Sequence, residues 1–189
     1  MLEEQLIRKV AFDLTRKEGW NNVTFTKIAR IKKLNKDVIE NLYGPKIEII
    51  KSLIREINRD SLNSVELDPN SSPRDHLFDL LMAHFDRSMP YQDILGPIIA
   101  NQILKPCEMK DILLEILTSL TLLLKATNIS TSGISGKMRI KGLLIIYVNS
   151  FRVWLKDSNP DLAKTMATLD HGLRQAEKIS LFLWPSPKA

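Results

Sequence analysis

The sequence predicts an all-α protein, and three observations predict it. Apolar residues recur at spacings of three and four along most of the chain, as a helix with one buried stripe requires. With 7 Gly and 9 Pro in 189 residues, the chain has too few turn formers for the many tight turns of an all-β fold. Those prolines fall between the apolar periodic stretches, where helix connections belong. No internal repeat, low-complexity tract or sustained strand alternation competes with this reading.

Leu6, Ile7, Val10, Ala11 and Leu14 define a first helix over about residues 2–18. Gly19 is its stop, because glycine takes the left-handed conformation cheaply. Thr24 or Thr26 is the N-cap of a short helix ending at Lys32, with Ile28 and Ala29 inward. Asn35 caps a third helix running to about Tyr43, its buried side drawn from Val38, Ile39 and Leu42 or Tyr43. Gly44-Pro45 breaks that helix, and Pro45 can open a fourth, to about Ser64, striped by Ile47, Ile50, Leu53, Ile54 and Ile57.

Residues 66–72 form a polar loop, and Pro73 opens the next helix, where Leu77, Leu80, Leu81, His84 and Phe85 repeat at helical spacing. Pro90, Pro97 and Pro106 divide the chain beyond it, so residues 91–105 make one or two short helices. A long Leu- and Ile-rich helix spans 108–127, and 128–136 (NISTSGISG) reads as a flexible connection. Helices over about 137–156 and 160–182 end the chain, with Asn159 as cap and Pro160 in the first turn of the second.

Charge is informative through its placement. There are 27 Lys+Arg against 22 Asp+Glu, a formal net charge of +5, which favours an anionic partner only weakly. Residues 27–36 (KIARIKKLNK), however, hold Lys27, Arg30, Lys32, Lys33 and Lys36 with no acidic residue among them. Cys107 is the single cysteine, so no intrachain disulfide is expected, and it reads as a buried or inert thiol in a reducing cytosol. The start, MLEEQLIRKV, is too charged for a signal peptide, and the apolar runs at 143–148 and 122–124 fall far short of the ~20 residues of a membrane span. A cytoplasmic protein with no stable membrane insertion is expected.

His76, His84 and His171 show no ligand-type spacing, so no metal site is expected. Asp157, Asp161 and Asp170 read as helix-end carboxylates rather than a catalytic pair. No P-loop, nucleotide-binding glycine pattern or nucleophile motif occurs, so neither an enzyme nor a cofactor is predicted.

Two short helices joined by a tight turn, with a supporting helix on either side, make a helix-turn-helix headpiece. Such a motif sets the N-terminal part of its second short helix in the major groove of double-stranded DNA. Asn35, Lys36 and Asp37 are therefore the candidates for reading bases. Thr24, Thr26, Lys27, Arg30, Lys33, Lys36 and Lys46 are of the type that grips phosphates.

The segment FDLTRKEGWNNVTFTKIARIKKLNKDVIENLYGPKIEIIKSLI resembles the TetR family of one-component bacterial regulators. Gly19, Val23-Thr24, Ile28-Ala29 and Lys46 carry the resemblance, which covers residues 6–54. It implies a TetR-like fold, with an N-terminal three-helix headpiece at 1–46 and a helical ligand-binding and dimerisation domain at 47–189, the helix at 47–64 connecting them. Two departures stand out. Lys33 occupies the turn position where the family usually has Gly, and Glu40 aligns with an aromatic residue that commonly contacts phosphate. Tyr43 replaces a Phe and reads as core.

Residues 151–173 are similar to the C-terminal helix pair of an alphaproteobacterial TetR subgroup, and to a related pattern in TetR-fold lipid-binding proteins of ubiquinone biosynthesis that have lost DNA binding. The likeness implies a homodimer through the helices at 137–157 and 160–182. The function expected is a ligand-responsive homodimeric repressor on a pseudo-palindromic operator, with an apolar or amphipathic small-molecule effector. The alternative is a TetR-fold lipid-binding or ubiquinone-biosynthesis accessory protein, for which Lys33, Glu40 and the amphipathic end SLFLWP (180–185) speak.

Overall fold

A computed structural model describes residues 2–66, 68–102 and 105–183 of the chain. Every long element among them is a helix: α1 (Leu2–Glu18), α2 (Phe25–Lys32), α3 (Lys36–Tyr43), α4 (Glu48–Ser64), α5 (Pro73–Ser88), α6 (Gln92–Gln102), α7 (Pro106–Ala126), α8 (Gly133–Trp154) and α9 (Ala163–Leu183). Single 3-10 turns occupy Trp20–Asn22 and Met89–Tyr91. The fold is all-α and divides into two compact units, Met1–Glu56 with Pro90–Glu115, and Ile57–Met89 with Ile116–Ala189.

In the first unit, Ile7, Ala11 and Phe12 of α1 enclose a core with Trp20, Val23, Ile28, Ile39, Ile49, Ile50 and Leu53. Buried Arg8 ties α1 to α4, donating to Ser52 Oγ at 3.2 Å and pairing with Glu56. The Tyr43 hydroxyl ties α3 to α1 by donating to the Glu4 carbonyl at 2.9 Å. Helix α6 joins the same unit through Arg16, whose guanidinium meets Asp93 at 2.6 Å and the Pro90 carbonyl at 2.8 Å. Asn21 and Asn101 add a side-chain bond of 3.0 Å, and the Phe12 and Tyr91 rings meet edge to face at 5.4 Å.

In the second unit, Phe85, Tyr147, Phe151 and Trp154 form a continuous aromatic cluster between α5 and α8. His84 is buried beside it, its Nε2 3.1 Å from the Tyr147 hydroxyl. That burial lowers the His84 pKa to about 4 from an ordinary 6.5 and raises that of Tyr147. Helix α9 packs closely against α8 at Gly172, where an added Cβ would lie 2.8 Å from Ile146 Cγ2.

Several boundaries depart from expectation for physical reasons. Gly19 has φ 81° but ψ 152°, so it ends α1 in extended mirror-image backbone rather than in a left-handed helical turn. Helix α4 begins at Glu48, because Pro45, Lys46 and Ile47 form a tighter lead-in whose carbonyls accept from Glu48, Ile49 and Ile50. Its buried stripe includes Ile49, while Ile54 is half-buried. Helix α8 starts at Gly133, inside the stretch expected to be flexible. Gly136 is a packing position there, since a Cβ would fall 2.0 Å from the Thr131 carbonyl carbon.

Asn159 does not cap α9. Left-handed Leu162 delays the helix to Ala163, and the buried Asp157 carboxylate reaches ahead to the Thr165 N–H and hydroxyl, both at 2.9 Å. Burial alone would raise the Asp157 pKa, but these bonds and one from the Asn159 N–H hold it below the ordinary carboxylate value. Asp161 accepts from the Ala163 N–H at 3.3 Å, and Asp170 pairs with Arg74 and Arg174. Cys107 is exposed in the first turn of α7, so of the expected buried or inert thiol the buried alternative does not hold.

Candidate nucleic-acid interface

The turn between α2 and α3 is made by backbone chemistry that the sequence announces. Thr24 caps α2, its hydroxyl accepting from the Lys27 N–H at 3.3 Å, and Asn35 caps α3, its carboxamide accepting from the Asp37 N–H at 3.0 Å. Between them Lys33 is left-handed (φ 54°, ψ 36°), and the Lys33 and Leu34 N–H groups both turn back to the Ala29 carbonyl. A lysine in that conformation costs about 1–2 kcal/mol relative to glycine.

The predicted cations do not behave alike. Lys27 is held by Glu18 at 2.8 Å and the Asn22 carbonyl at 2.9 Å. Lys46 donates to the Trp20 carbonyl at 2.7 Å and the Val23 carbonyl at 3.1 Å, with its ammonium 4.7 Å from the Trp20 ring centre. Burial, then the charge of Lys105, lowers the Lys46 pKa. These two lysines therefore lock the loop at 20–23 between α1 and α2. Arg30, Lys32 and Lys33 have no ion-pair partner among the described residues; Arg30 and Lys33 are exposed and Lys32 is half-exposed. Thr26 is exposed in the first turn of α2.

On α3, Lys36 and Glu40 pair across one turn at 2.8 Å. The bond to Glu40 raises the Lys36 pKa, with the carboxylate charge adding to it. Asp37 is exposed in the first turn, where the helix dipole favours it. Ile39 and Tyr43 are the buried residues of this helix, so Tyr43 and not Leu42 completes its inward side; Val38, expected in the core, and Leu42 are exposed. Asn41 shares their outward side and was not singled out by the sequence, although the pattern i, i+3, i+4 opposite Ile39 and Tyr43 would have found it.

No protein-family model matches the chain, and no curated protein matches it either. The crystal structure of the TetR transcriptional regulator from Nitrosomonas europaea ATCC 19718 superposes with a TM-score of 0.78 at 16% sequence identity, covering 94% of this chain and 99% of that one. The chain has the TetR-regulator fold. The TetR family transcriptional regulator PfmR from Thermus thermophilus covers 89% of this chain and 97% of its own, with a TM-score of 0.48 and 15% identity.

Within this TetR-type fold the second unit also carries a solvent-open cavity of about 750 Å³. Leu77, Leu124, Leu143, Ile146 and Leu173 supply apolar lining, and Arg74, Arg139 and Glu177 supply charge. The guanidinium of Arg74 is already engaged by Asp75 at 2.7 Å and by Asp170, and Arg139 donates to the Ser130 carbonyl at 3.0 Å. No group of three or more His, Cys, Asp or Glu side chains able to hold a metal occurs among the described residues. Among them, too, no helix is long and apolar enough to cross a membrane. The amphipathic end expected at 180–185 lies outside the residues whose side chains are described.

Proposed function

We propose that the chain is a DNA-binding transcriptional regulator, with residues 1–46 as its DNA-binding headpiece and 47–189 as its ligand-binding and dimerisation domain. The observation that carries this reading is the pairing of a capped helix-turn-helix with cations left free on its first short helix and turn. Arg30, Lys32 and Lys33 lie there with no ion-pair partner among the described residues, while Glu40, the carboxylate that would oppose phosphate from the middle of α3, is neutralised by Lys36. Thr24, Thr26 and Asn35 supply local polar groups, and Lys27 and Lys46 act by holding the headpiece together.

The regulator acts as a homodimer through α8 and α9, which expose Ile145 (71%), Val148 (42%) and Met166 (41%). Two headpieces then meet adjacent half-sites of a pseudo-palindrome in the cytoplasm. An apolar or amphipathic effector in the second-unit cavity shifts the balance between DNA-binding and released states, and the protein performs no catalysis. A mobility shift of the full chain on its own upstream region tests the reading. A specific complex that weakens between 50 and 200 mM salt is expected; no complex at either salt overturns it.

A further inference from the structure

Resting on that DNA-binding reading, we propose that α3 selects an A·T-rich core in each half-site, with Val38 and Leu42 against thymine methyl groups and the Asn41 carboxamide on adenine. The outward side of α3 is unusual for a surface helix. Val38 is 46% and Leu42 41% exposed, one turn apart, with Asn41 beside them. The Asn41 carboxamide has no hydrogen-bond partner among the described residues, unlike that of Asn35, which is spent on the helix cap.

Base-edge chemistry then narrows the choice. Guanine is read chiefly by Arg or Lys, and the one cation on α3, Lys36, is tied to Glu40. Adenine offers a donor and an acceptor side by side, which a carboxamide matches in bidentate fashion, and thymine alone presents a methyl group to the major groove. Val38 and Leu42 are separated by about 6 Å of helix rise, close to two base-pair steps of about 3.4 Å. The neighbouring Arg30, Lys32 and Lys33 identify the occupant of this apolar side as a polyanion, not a protein core.

Selection of the full chain against a randomised duplex pool, followed by titration of the enriched site, tests this. The expected result is a half-site with an A·T core, where replacing the contacted thymine by deoxyuridine weakens binding about fourfold for the natural chain and not for Val38→Ala/Leu42→Ala. Asn41→Ala should lose about tenfold and the adenine preference at one position. An enriched site whose core is G·C, or a uracil effect unchanged in the double variant, overturns the A·T assignment and leaves the DNA-binding reading standing. A pool with no enriched sequence overturns that reading itself, and this inference with it.

Discussion

The Lys36 ammonium lies 2.8 Å from the Glu40 carboxylate, one turn along α3. A carboxylate at that position would repel a phosphate, but it reaches the surface already matched by a cation on its own helix. The pair also explains why Lys36 alone adds little net charge to the headpiece. Replacing Glu40 by Gln frees Lys36 for the phosphate backbone. The slope of log affinity against log salt should then steepen by about one, read by fluorescence anisotropy on any duplex.

Of the three glycines in helix α8, Gly136 and Gly142 carry opposite expectations. At Gly136 a Cβ would meet the Thr131 carbonyl carbon at 2.0 Å, whereas at Gly142 it would meet nothing within 4 Å. Gly136→Ala should lower the unfolding free energy in urea by at least about 2 kcal/mol. Gly142→Ala should leave it unchanged or raise it by up to about 1 kcal/mol, through helix propensity alone.

The neutral His84 imidazole belongs to the folded state, because burial lowers its pKa to about 4. The unfolded chain takes up that proton near pH 6.5, so the folded state is favoured fully above pH 6.5 and less as the pH falls toward 4. The loss should approach about 3 kcal/mol and flatten below pH 4. Urea unfolding across pH 4–8 measures it, and a His84→Gln chain should lack this step.

Ile145 is 71% exposed on α8, a helix that also exposes Ile134, Met138 and Val148. Covering it by a second copy explains that exposure, and Ile145→Lys places a cation where the two copies would meet. Sedimentation at micromolar concentration should show a dimer for the natural chain and a predominantly monomeric species for the variant.

The parts of this structure legible in the sequence are the local ones. Helical periodicity, the cap at Asn35 and the choice of Thr24 or Thr26 as the cap of α2 are set by residues within a few positions of one another. Val38 misled, and Leu42 and Tyr43 stood as alternatives, because α3 has only two turns, too few for neighbouring apolar residues to show which stripe faces inward. Gly136 resembled linker glycine because close packing against Thr131 leaves no mark in composition. Lys27 and Lys46 are of the type that grips phosphates, yet Lys27 binds Glu18 and the Asn22 carbonyl, and Lys46 the carbonyls of Trp20 and Val23. Asp157 and Thr165, eight residues apart, and Arg16 and Asp93, 77 apart, are joined by folding and not by spacing.

The salt dependence of DNA binding, compared between the natural chain and Arg30→Ala/Lys32→Ala/Lys33→Ala, bears most directly on the headpiece. All three side chains are free of ion pairs among the described residues, so their removal leaves the capped turn and core in place. The natural chain should bind its upstream duplex with log affinity falling linearly in log salt. The variant should bind more weakly, with a slope shallower by roughly one for each phosphate contact removed. No complex at 50 mM salt, or an identical slope in the variant, would contradict DNA binding through α2 and its turn.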